Sequence, residues 1–480
     1  MTRIAISLAG HTNNGKTTLA RTLLRKDVGI VDDKPHVTDI ADGHPLHKNE
    51  EGEVILWDLP GFGDSVRLKK RLQQTGLIGW LVTTFDRWSD RPLWCSQQCM
   101  KNAKNDADVI LYLIDASNSP ESSLDVRAEL EVLAMVEKPV ILLLNQTGLP
   151  DAERDQVLVQ AWRDALKDFT IIQGALPMDG WMRCWVQEKM LFQTIATVLP
   201  AEKQQAYQKL IAEWQETHHD QVLKTSIAIM AKALIETAHD SVAIDKESLF
   251  DKTKALFSSE LTPQSEKARA VMVETLIQRS RQTMEALLKV NHLHGAPKDR
   301  VDSLLEGVKT KSPDTPPEVM AILGGIGGGL LTGVLADIQA GGMTFGGGAV
   351  AGAVLGGVTA YALGRGYKKI RGKDGETRLS WSQEFLTDEW VAYGMRYLMI
   401  AHFGRGQGHW SEPLSASIPQ RWQQSIAQWM QAHKTTVEKA LTTSEPAHVE
   451  EQLELMIRHV LNELYPSAAA ETLPISTSGE

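Results

Sequence analysis

The sequence contains few cysteines and has no excess of positive charge. Three cysteines in 480 residues are too few for a disulfide framework, so a reducing compartment is expected. The 50 lysines and arginines are outnumbered by 60 aspartates and glutamates, giving a formal net charge of −10. A protein whose main partner is nucleic acid usually has a basic excess, so we do not expect a nucleic-acid partner.

Apolar segments long enough to span a membrane are also scarce, and no targeting segment is visible at the amino terminus. The mean hydropathy of −0.21 excludes a protein with many membrane spans but not one with a single hydrophobic hairpin. Met1–Ile6 leads directly into an apolar run and lacks the apolar region and cleavage site of a signal peptide. We therefore expect the chain to start in the cytoplasm.

Short apolar runs alternate with longer amphipathic stretches from the amino terminus to about residue 200. Near-continuous apolar strands separated by helix-length segments indicate a mostly parallel sheet that is buried on both faces by flanking helices. This pattern predicts an α/β nucleotide-binding domain over residues 1–200. The predicted strands are Ile4–Ala9, Val54–Leu59, Val109–Asp115, Val140–Asn145 and Phe169–Gln173.

Beyond residue 200 the strand signal vanishes and the sequence becomes helical. Leu223, Ile227, Met230 and Leu234 recur at the spacing of one helix face, and Thr262-Pro263 is typical of a helix start. The prediction is an all-α carboxyl-terminal region, which is a candidate surface for a protein partner. Its predicted segments are a helical region at 201–317, a glycine-rich hydrophobic hairpin at 318–375, a second helical region at 376–465 and a disordered tail at 466–480.

The clearest motif is Gly10–Thr17, GHTNNGKT, which fits G-x-x-x-x-G-K-[ST] at every fixed position. It follows a predicted strand and precedes a predicted helix over Thr18–Arg25, the context in which this loop binds phosphate. Its glycines allow successive N–H groups to face an anion, and the helix N-terminus adds partial positive charge. Lys16 can reach the β- and γ-phosphates, and Thr17 offers a hydroxyl to Mg²⁺.

A second element, Asp58–Gly61, follows the predicted strand that ends near it. Asp58 lies where a carboxylate holds magnesium through water, and the N–H of Gly61 can approach a γ-phosphate. Thr38, in the polar loop between the two motifs, is the candidate for a second magnesium-binding hydroxyl, although an ordinary loop threonine is the alternative. The catalytic candidates are Lys16, Thr38 and Gly61, and the metal candidates are Thr17, Thr38 and Asp58.

In this order, the Gly10–Thr18 loop, Thr38 and Asp58–Gly61 resemble the Era/TrmE-type branch of translation-factor-class GTPases. Asn13 falls where that branch commonly carries an asparagine associated with potassium-stimulated hydrolysis. The resemblance therefore implies Mg²⁺ and K⁺ as cofactors, and GTP and GDP as ligands. It covers roughly the first 200 residues.

A narrower resemblance is carried by Met178–Trp181, by Arg183–Trp185 and by the long carboxyl-terminal region. Together they are similar to a bacterial family of Era-like GTPases fused to a domain of unknown function. This narrower match supplies no established activity, whereas the broader resemblance to Era/TrmE-type GTPases implies hydrolysis of GTP to GDP and phosphate as a molecular switch. Phe62 stands where Ras-like enzymes place a water-orienting glutamine, so slow turnover is expected. The alternatives are a non-enzymatic, nucleotide-responsive anchor or scaffold and, third, a factor associated with RNA or the ribosome.

The base-recognition motif departs from the family pattern N-K-x-D. The corresponding segment is Asn145-Gln146-Thr147-Gly148, in which Gln146 replaces the lysine that packs on the base. Gly148 replaces the aspartate that accepts hydrogen bonds from guanine. Discrimination of GTP over ATP is therefore expected to be weaker than in relatives with an intact motif, unless another residue such as Asp179 supplies the carboxylate.

The segment after the last predicted strand, Gly174–Leu176, loosely resembles the final base-contact loop of these GTPases. This makes Ala175 the remaining candidate for contact with the base. The nucleotide-binding candidates are Gly10, Asn13, Asn14, Gly15, Lys16, Thr17, Thr18, Asp58, Gly61, Asn145, Gln146 and Ala175.

The segment Val319–Gly364 is glycine-rich, apolar and almost uncharged. Residues 319–336 and 338–364 carry no charge, and small residues recur every four positions from Gly348 to Gly364, which lets two helices approach closely. The basic cluster Lys368–Lys373 then suits the cytoplasmic face of a membrane. Two interpretations remain open: a hairpin at the cytoplasmic face of the inner membrane, and a glycine-packed hairpin buried in a soluble domain.

Overall fold

The computed structural model describes residues 1–26, 28, 42–63, 67, 69–70, 91–148, 151–180, 184–244, 263–293, 366–372, 375–402 and 420–466. Thr38 and the Val319–Gly364 segment lie outside the described residues. The chain divides into two units, and each is built from more than one stretch of sequence. The first comprises Met1–Gln221, Ala401–Ser411 and Leu464–Glu480, and the second Val222–Ile400 and Glu412–Glu463.

Strands and helices alternate along the first unit, as the apolar runs predict. Its strands are β1 (Thr2–Gly10), β2 (Asp42–Lys48), β3 (Gly52–Asp58), β4 (Val109–Asp115), β5 (Val140–Asn145) and β6 (Ile172–Pro177). Its helices are α1 (Lys16–Leu24), α2 (Arg91–Asn105), α3 (Leu124–Ala134), α4 (Ala152–Ala165), α5 (Trp185–Val198), α6 (Ala201–Gln215) and a π-helical turn (Glu216–Asp220).

The strands form one sheet in the order β2-β3-β1-β4-β5-β6. All neighbours are parallel except β2, which pairs antiparallel with β3 at one edge. Because parallel strands end at the same edge of a sheet, Gly10, Asp58 and Asn145 come together at the carboxyl edge of β1, β3 and β5. This edge carries the candidate site.

Both faces of the sheet are buried, which confirms the predicted α/β fold class. One face packs on a core that includes Phe62, Tyr112 and Trp162, and the other on a core that includes Leu19, Phe192 and Trp214. Since α6 contributes Trp214 to the second core, the first unit continues beyond residue 200, where the sequence placed a boundary.

Two strands of this sheet differ from the sequence prediction. The last strand spans Ile172–Pro177 rather than Phe169–Gln173, because pairing with β5 begins at Ile172 and continues to Pro177. The edge strand Asp42–Lys48 lies in a segment whose polar composition predicts a loop. An edge strand can be largely polar, so the polar composition of this segment does not exclude a strand.

The second unit is mainly helical, as predicted. Its helices are α7 (Gln221–His239), α8 (Pro263–Val290), α9 (Gln383–His402), α10 (Gln420–Thr443) and α11 (Pro446–Leu464). The four apolar residues at helical spacing are buried in α7, where they form its inward face: Leu223, Ile227, Met230 and Leu234. Among the helices that the structure describes, none combines the length and apolar composition needed to cross a membrane.

A small antiparallel sheet, which the sequence did not predict, accompanies these helices. It comprises β7 (Ser241–Ala243), β8 (Tyr367–Arg371) and β9 (Thr377–Trp381) in the order β7-β9-β8. Lys368 and Lys369 belong to β8 and are exposed. Lysines on an edge strand hinder pairing with another sheet, so part of the predicted membrane-facing basic cluster lies on a strand.

Candidate nucleotide-binding site

The phosphate loop connects β1 to α1 and is held by backbone and side-chain contacts. Gly10 ends β1, and its carbonyl accepts a hydrogen bond from the Phe62 N–H at 3.2 Å. Asn14 Nδ2 donates to the Leu113 carbonyl at 3.0 Å. Gly15 has φ 83°, and a Cβ there would lie 2.4 Å from Asn145 Nδ2. The loop therefore requires glycine at position 15 for both its torsion and its space.

Lys16 is folded back into the loop that it belongs to. Its ammonium donates to the carbonyls of Gly10 at 3.1 Å and His11 at 2.7 Å, and the residue is 7% exposed. Burial lowers the pKa of this ammonium, and the negative charge of Asp58 opposes that shift. The loop thus holds a buried cation at the place where phosphates of a nucleotide would sit.

The side chains of Thr17 and Asp58 are joined by a hydrogen bond. Thr17 Oγ1 donates to Asp58 Oδ2 at 2.6 Å, while Asp58 Oδ1 is buried without a hydrogen-bond partner among the described residues. Burial raises the pKa of Asp58, and the Thr17 hydrogen bond opposes the shift. A hydroxyl beside a buried carboxylate with an unsatisfied oxygen fits a divalent cation such as Mg²⁺.

Gly61 and Phe62 bring the second motif against the phosphate loop. A Cβ at Gly61 would lie 2.7 Å from Thr12 Cα and 3.0 Å from Lys16 Nζ, so only glycine allows this approach. Thr12 Oγ1 donates to the Phe62 carbonyl at 3.1 Å. The Phe62 side chain is fully buried in the core. It is therefore not placed to orient a water molecule.

A buried carboxylate below the loop was missed by the sequence analysis. Glu129 on α3 is 0% exposed; its Oε1 lies 2.7 Å from His11 Nδ1, and its Oε2 accepts from the Tyr112 hydroxyl at 2.7 Å. The hydrogen bond to Glu129 raises the pKa of His11, and burial opposes the shift. The residues lie on three elements far apart in sequence, so no local motif reveals them.

Asn145 joins the phosphate loop to the loop after β6. Its Nδ2 donates to the Asn14 carbonyl at 2.8 Å, and its Oδ1 accepts from the Gly180 N–H at 2.7 Å. The side chain is 5% exposed, so both of its polar atoms are satisfied inside the protein. This amide fixes the relative position of the two loops.

The other candidate residues for base recognition differ from what the N-K-x-D pattern and the predicted strand end led us to expect. Gln146 is exposed with φ 60°, and Gly148 has φ 75°. The Gly148 N–H donates to Asp179 Oδ2 at 3.1 Å. Ala175 lies inside β6, pairs with Leu142 and is buried. It is therefore not a loop residue, and the loop that reaches the site is Met178–Gly180.

Most of the predicted residues share one edge of the sheet. Asn13 is exposed in the loop and has φ 68°. Thr18 lies in the first turn of α1. Gly180 lies close to Thr18: a Cβ on Gly180 would be 3.5 Å from Thr18 Cγ2. Thr38 is outside the described residues. The predicted residues that the structure brings together are Gly10, Asn13, Asn14, Gly15, Lys16, Thr17, Thr18, Asp58, Gly61, Asn145 and Gln146.

Two family models match the chain in succession. Residues 5–146 match the model described as a 50S ribosome-binding GTPase, and residues 184–458 match a domain of unknown function, DUF3482. The second match covers more than half of the chain. The chain belongs to the DUF3482 family. The combination confirms the resemblance to a GTPase domain followed by a domain of unknown function.

Individual relatives match about a third of the chain. GTPase Era of Caldanaerobacter subterraneus subsp. tengcongensis is 27% identical over 175 residues, covering 36% of this chain and 49% of the relative. GTPase Era of Rhizobium meliloti is 30% identical over 142 residues, covering 29% and 37%. The chain thus spans about half or less of the length of the curated relatives it matches.

Solved structures of Era are among those similar to this chain. A complex of Era with MgGDPNP and a segment of 16S ribosomal RNA gives a TM-score of 0.31 at 20% identity, covering 42% of this chain and 58% of Era. An Aquifex aeolicus Era variant bound to GDP and aluminium fluoride gives a TM-score of 0.31 at 15% identity, covering 60% and 90%.

Proposed function

We propose that this DUF3482-family protein binds GTP and hydrolyses it slowly to GDP and phosphate, as a molecular switch. The observation that carries the proposal is the Thr17–Asp58 pair, held at 2.6 Å with the second carboxylate oxygen of Asp58 unsatisfied. Together with the buried ammonium of Lys16, this arrangement provides both the anion-binding and the cation-binding groups that a magnesium nucleotide requires.

Each residue has a distinct role in the proposed reaction. Lys16 exchanges its hydrogen bonds to loop carbonyls for the β- and γ-phosphates, and Thr17 and Asp58 would hold Mg²⁺, with Thr38 as the second hydroxyl. The metal would supply positive charge that offsets the charge of the phosphates. Gly61 packs closely against Thr12 of the phosphate loop, and in this proposal its N–H senses the γ-phosphate and its loss.

Slow turnover follows from the position of Phe62. Because this side chain is buried in the core, no side chain at that position orients the attacking water. Catalysis then depends on Lys16, the cation and the backbone of the switch segments. In this proposal Asn13 contributes to a K⁺ site that adds positive charge beside the phosphates, by the resemblance to the Era/TrmE branch.

Phosphate release in K⁺ and in Na⁺ tests the proposal. We expect slow release from GTP that is faster in K⁺, and its loss in Asp58→Asn. Asp115→Asn, at the end of the neighbouring strand β4, is the matched control and should retain the rate. Tight GTP binding without any release in either salt would instead favour the second candidate, a nucleotide-responsive anchor without enzymatic activity, which the burial of Phe62 also favours.

The segment Val319–Gly364 is proposed to contact the cytoplasmic face of a membrane, on the basis of its composition alone. The full-length chain should then fractionate with membranes and resist carbonate extraction. Gly352→Leu with Gly356→Leu should weaken this association by separating two closely packed helices. Purification of the full-length protein from the cytosolic fraction without detergent, as a monodisperse species, would contradict it.

Partner choice is proposed to depend on the second unit. Era in one of the similar structures is bound to 16S ribosomal RNA, but the net charge of −10 provides no basic excess for such a partner here. We propose that the nucleotide state controls a protein partner bound by the helical region. Co-sedimentation with ribosomes that is abolished by RNase would contradict this proposal.

A further inference from the structure

The base end of the site lacks the carboxylate that the family pattern places at position 148. Gly148 stands there instead, with φ 75°. A Cβ at Gly148 would meet no atom within 4 Å in the described part of the chain. The position is therefore open on the side from which a side chain would project.

A carboxylate from another loop occupies this neighbourhood. Asp179, in the Met178–Gly180 loop after β6, accepts a hydrogen bond from the Gly148 N–H through Oδ2 at 3.1 Å. The residue is 4% exposed. The next residue, Gly180, donates its N–H to Asn145 Oδ1 at 2.7 Å. Asp179 is thus attached directly to the position where the aspartate is missing.

Asn145 relates this carboxylate to the bound phosphates. It donates to the Asn14 carbonyl in the phosphate loop and accepts from Gly180 in the Asp179 loop. In the proposed binding mode, a nucleotide with its phosphates on the Gly10–Thr17 loop extends its base towards Asn145 and the neighbouring Asp179 loop. The separation between phosphate site and carboxylate is fixed by buried hydrogen bonds.

The chemistry of guanine suits such a group. Guanine presents two donors on one edge, the N1–H and the 2-amino group, whereas adenine presents an acceptor at N1. A carboxylate has two oxygens with about four acceptor sites, and the Gly148 N–H occupies one of them. A buried acceptor of this kind penalises a base that lacks the matching donor.

We propose that Asp179 is the base-specificity residue of this protein, replacing from the β6 loop the aspartate that is missing at position 148. This inference rests on the proposed function, since it concerns the same nucleotide site. The sequence left two possibilities for the discrimination of GTP over ATP: that it is weakened, or that Asp179 restores it. The proposal favours the second, a marked preference for guanine nucleotides. The merely structural alternative is that Asp179 only caps the Gly148 N–H.

An exchange of the carboxylate for an amide separates the two roles. In Asp179→Asn one acceptor becomes a donor, which no longer suits the 2-amino group of guanine but suits the 2-carbonyl of xanthine. We expect the affinity for GTP to fall about 10- to 100-fold and the affinity for xanthosine triphosphate to rise. An amide oxygen can still cap Gly148, so a structural role predicts no change of preference.

Two further variants complete the design. Gly148→Asp added to Asp179→Asn should restore the preference for GTP, since aspartate tolerates a positive φ better than most residues. Asp155→Asn is the matched control, because Asp155 is also a buried aspartate whose Oδ2 accepts a backbone N–H, that of Asp151 at 3.2 Å. It should leave the ratio of GTP to xanthosine triphosphate affinity unchanged.

A measurement on the unmodified protein is independent of variant folding. Inosine triphosphate lacks only the 2-amino group, and we expect it to bind about tenfold more weakly than GTP. Equal binding of the two, or an Asp179→Asn protein that keeps the parental preference, would overturn the role of Asp179 while leaving the GTPase proposal intact. Absence of any guanine-nucleotide binding by the parent would overturn both.

Discussion

At the phosphate end of the site the functional groups come from two short contiguous segments, whereas at the base end they come from separate loops joined by one side chain. Gly10–Thr17 and Asp58–Gly61 carry the phosphate end. Asn145, Gly148 and Asp179 build the base end across β5 and the loop after β6. The first end retains its motif in full. The second retains Asn145, and in our proposal its carboxylate comes from Asp179.

This difference shows what each end has to provide. Phosphate is bound largely by backbone N–H groups in a fixed loop, so the sequence must keep the glycines and the lysine at fixed spacing. A base is recognised by a few hydrogen bonds, and any loop that places the right group at the right point can supply them. A missing motif residue at the base end therefore does not imply a missing interaction.

The largest expected effect lies at the phosphate end. Lys16→Ala removes the buried ammonium that we propose binds the phosphates, and we expect the affinity for GDP to fall at least about 100-fold, with the fold retained. Isothermal titration measures the affinity for GDP, and circular dichroism measures whether the fold is retained. Lys48→Ala, which removes an exposed lysine on β2, is the control. Parental affinity in Lys16→Ala would refute the phosphate-site assignment.

A change at the junction tests whether the two ends are coupled. Asn145→Ala removes the hydrogen bonds to Asn14 and Gly180, so both loops lose a fixed partner. We expect the affinities for GDP and ADP to fall together by about 10- to 100-fold. Asn118→Ala, which removes an exposed side-chain bond to Asp115, should have no effect. If only the guanine preference declined, Asn145 would belong to the base end alone.

Hydrolysis should be more sensitive than binding to a change at Gly61. Gly61→Ala places a Cβ 2.7 Å from Thr12 Cα and forces the switch segment away from the phosphate loop. Since a displacement of about 1 Å can reduce a rate about 100-fold, phosphate release should fall by roughly 10- to 100-fold while GDP affinity changes little. Gly375→Ala, which strains a turn of the second unit at φ 81° but meets no described atom within 4 Å, controls for backbone strain and should release phosphate at the parental rate.

The smallest effect concerns the carboxylate below the phosphate loop. Glu129 raises the pKa of His11, whose ordinary value is 6.5, so their pairing stabilises the fold fully below about pH 6.5 and is lost as the pH rises through the raised pKa. Lys16, Asp125 and Tyr112 are the other titratable groups that face this pair.

Glu129→Gln should therefore lower the melting temperature by about 2–4 °C at pH 6 and by less at pH 9. The surface pair of Arg3 and Glu53 offers a control: arginine side chains stay charged between pH 6 and pH 9, so Glu53→Gln should leave the difference between pH 6 and pH 9 unchanged. A melting-temperature difference between parent and Glu129→Gln that stays constant from pH 6 to pH 9 would show that His11 titrates without influence on stability.

The contiguous part of the site could be predicted from the sequence, and so could its strands. Glycines and the lysine within eight residues specify the Gly10–Thr17 loop, and the strands β4 and β5 coincide with their apolar runs. The strand β6 was misplaced because Gly174 and Pro177, which favour turns, lie within it. That error placed Ala175 in the loop where Asp179 actually lies.

Contacts between distant segments could not be predicted. His11 and Glu129 are 118 positions apart, and without the fold nothing in the sequence indicates that they meet. Asp179 was already a candidate for the missing carboxylate, but its hydrogen bond with the Gly148 N–H, 31 positions away, is visible only in the fold. In the second unit, the sequence led us to interpret the lysines of β8 as a basic cluster facing a membrane. A short, charged edge strand has few apolar residues, so its sequence does not show the pattern of a strand. Composition thus predicted the helices of that unit but not its sheet.

A competition titration of the unmodified protein with GDP and ADP tests the central claim most directly. GDP and ADP carry the same diphosphate, so in this account any difference in their affinities measures the base end. With Asp179 supplying the carboxylate, we predict that ADP binds at least about 100-fold more weakly than GDP. Equal affinities for the two nucleotides would contradict a guanine-specific switch and leave only a site for phosphates.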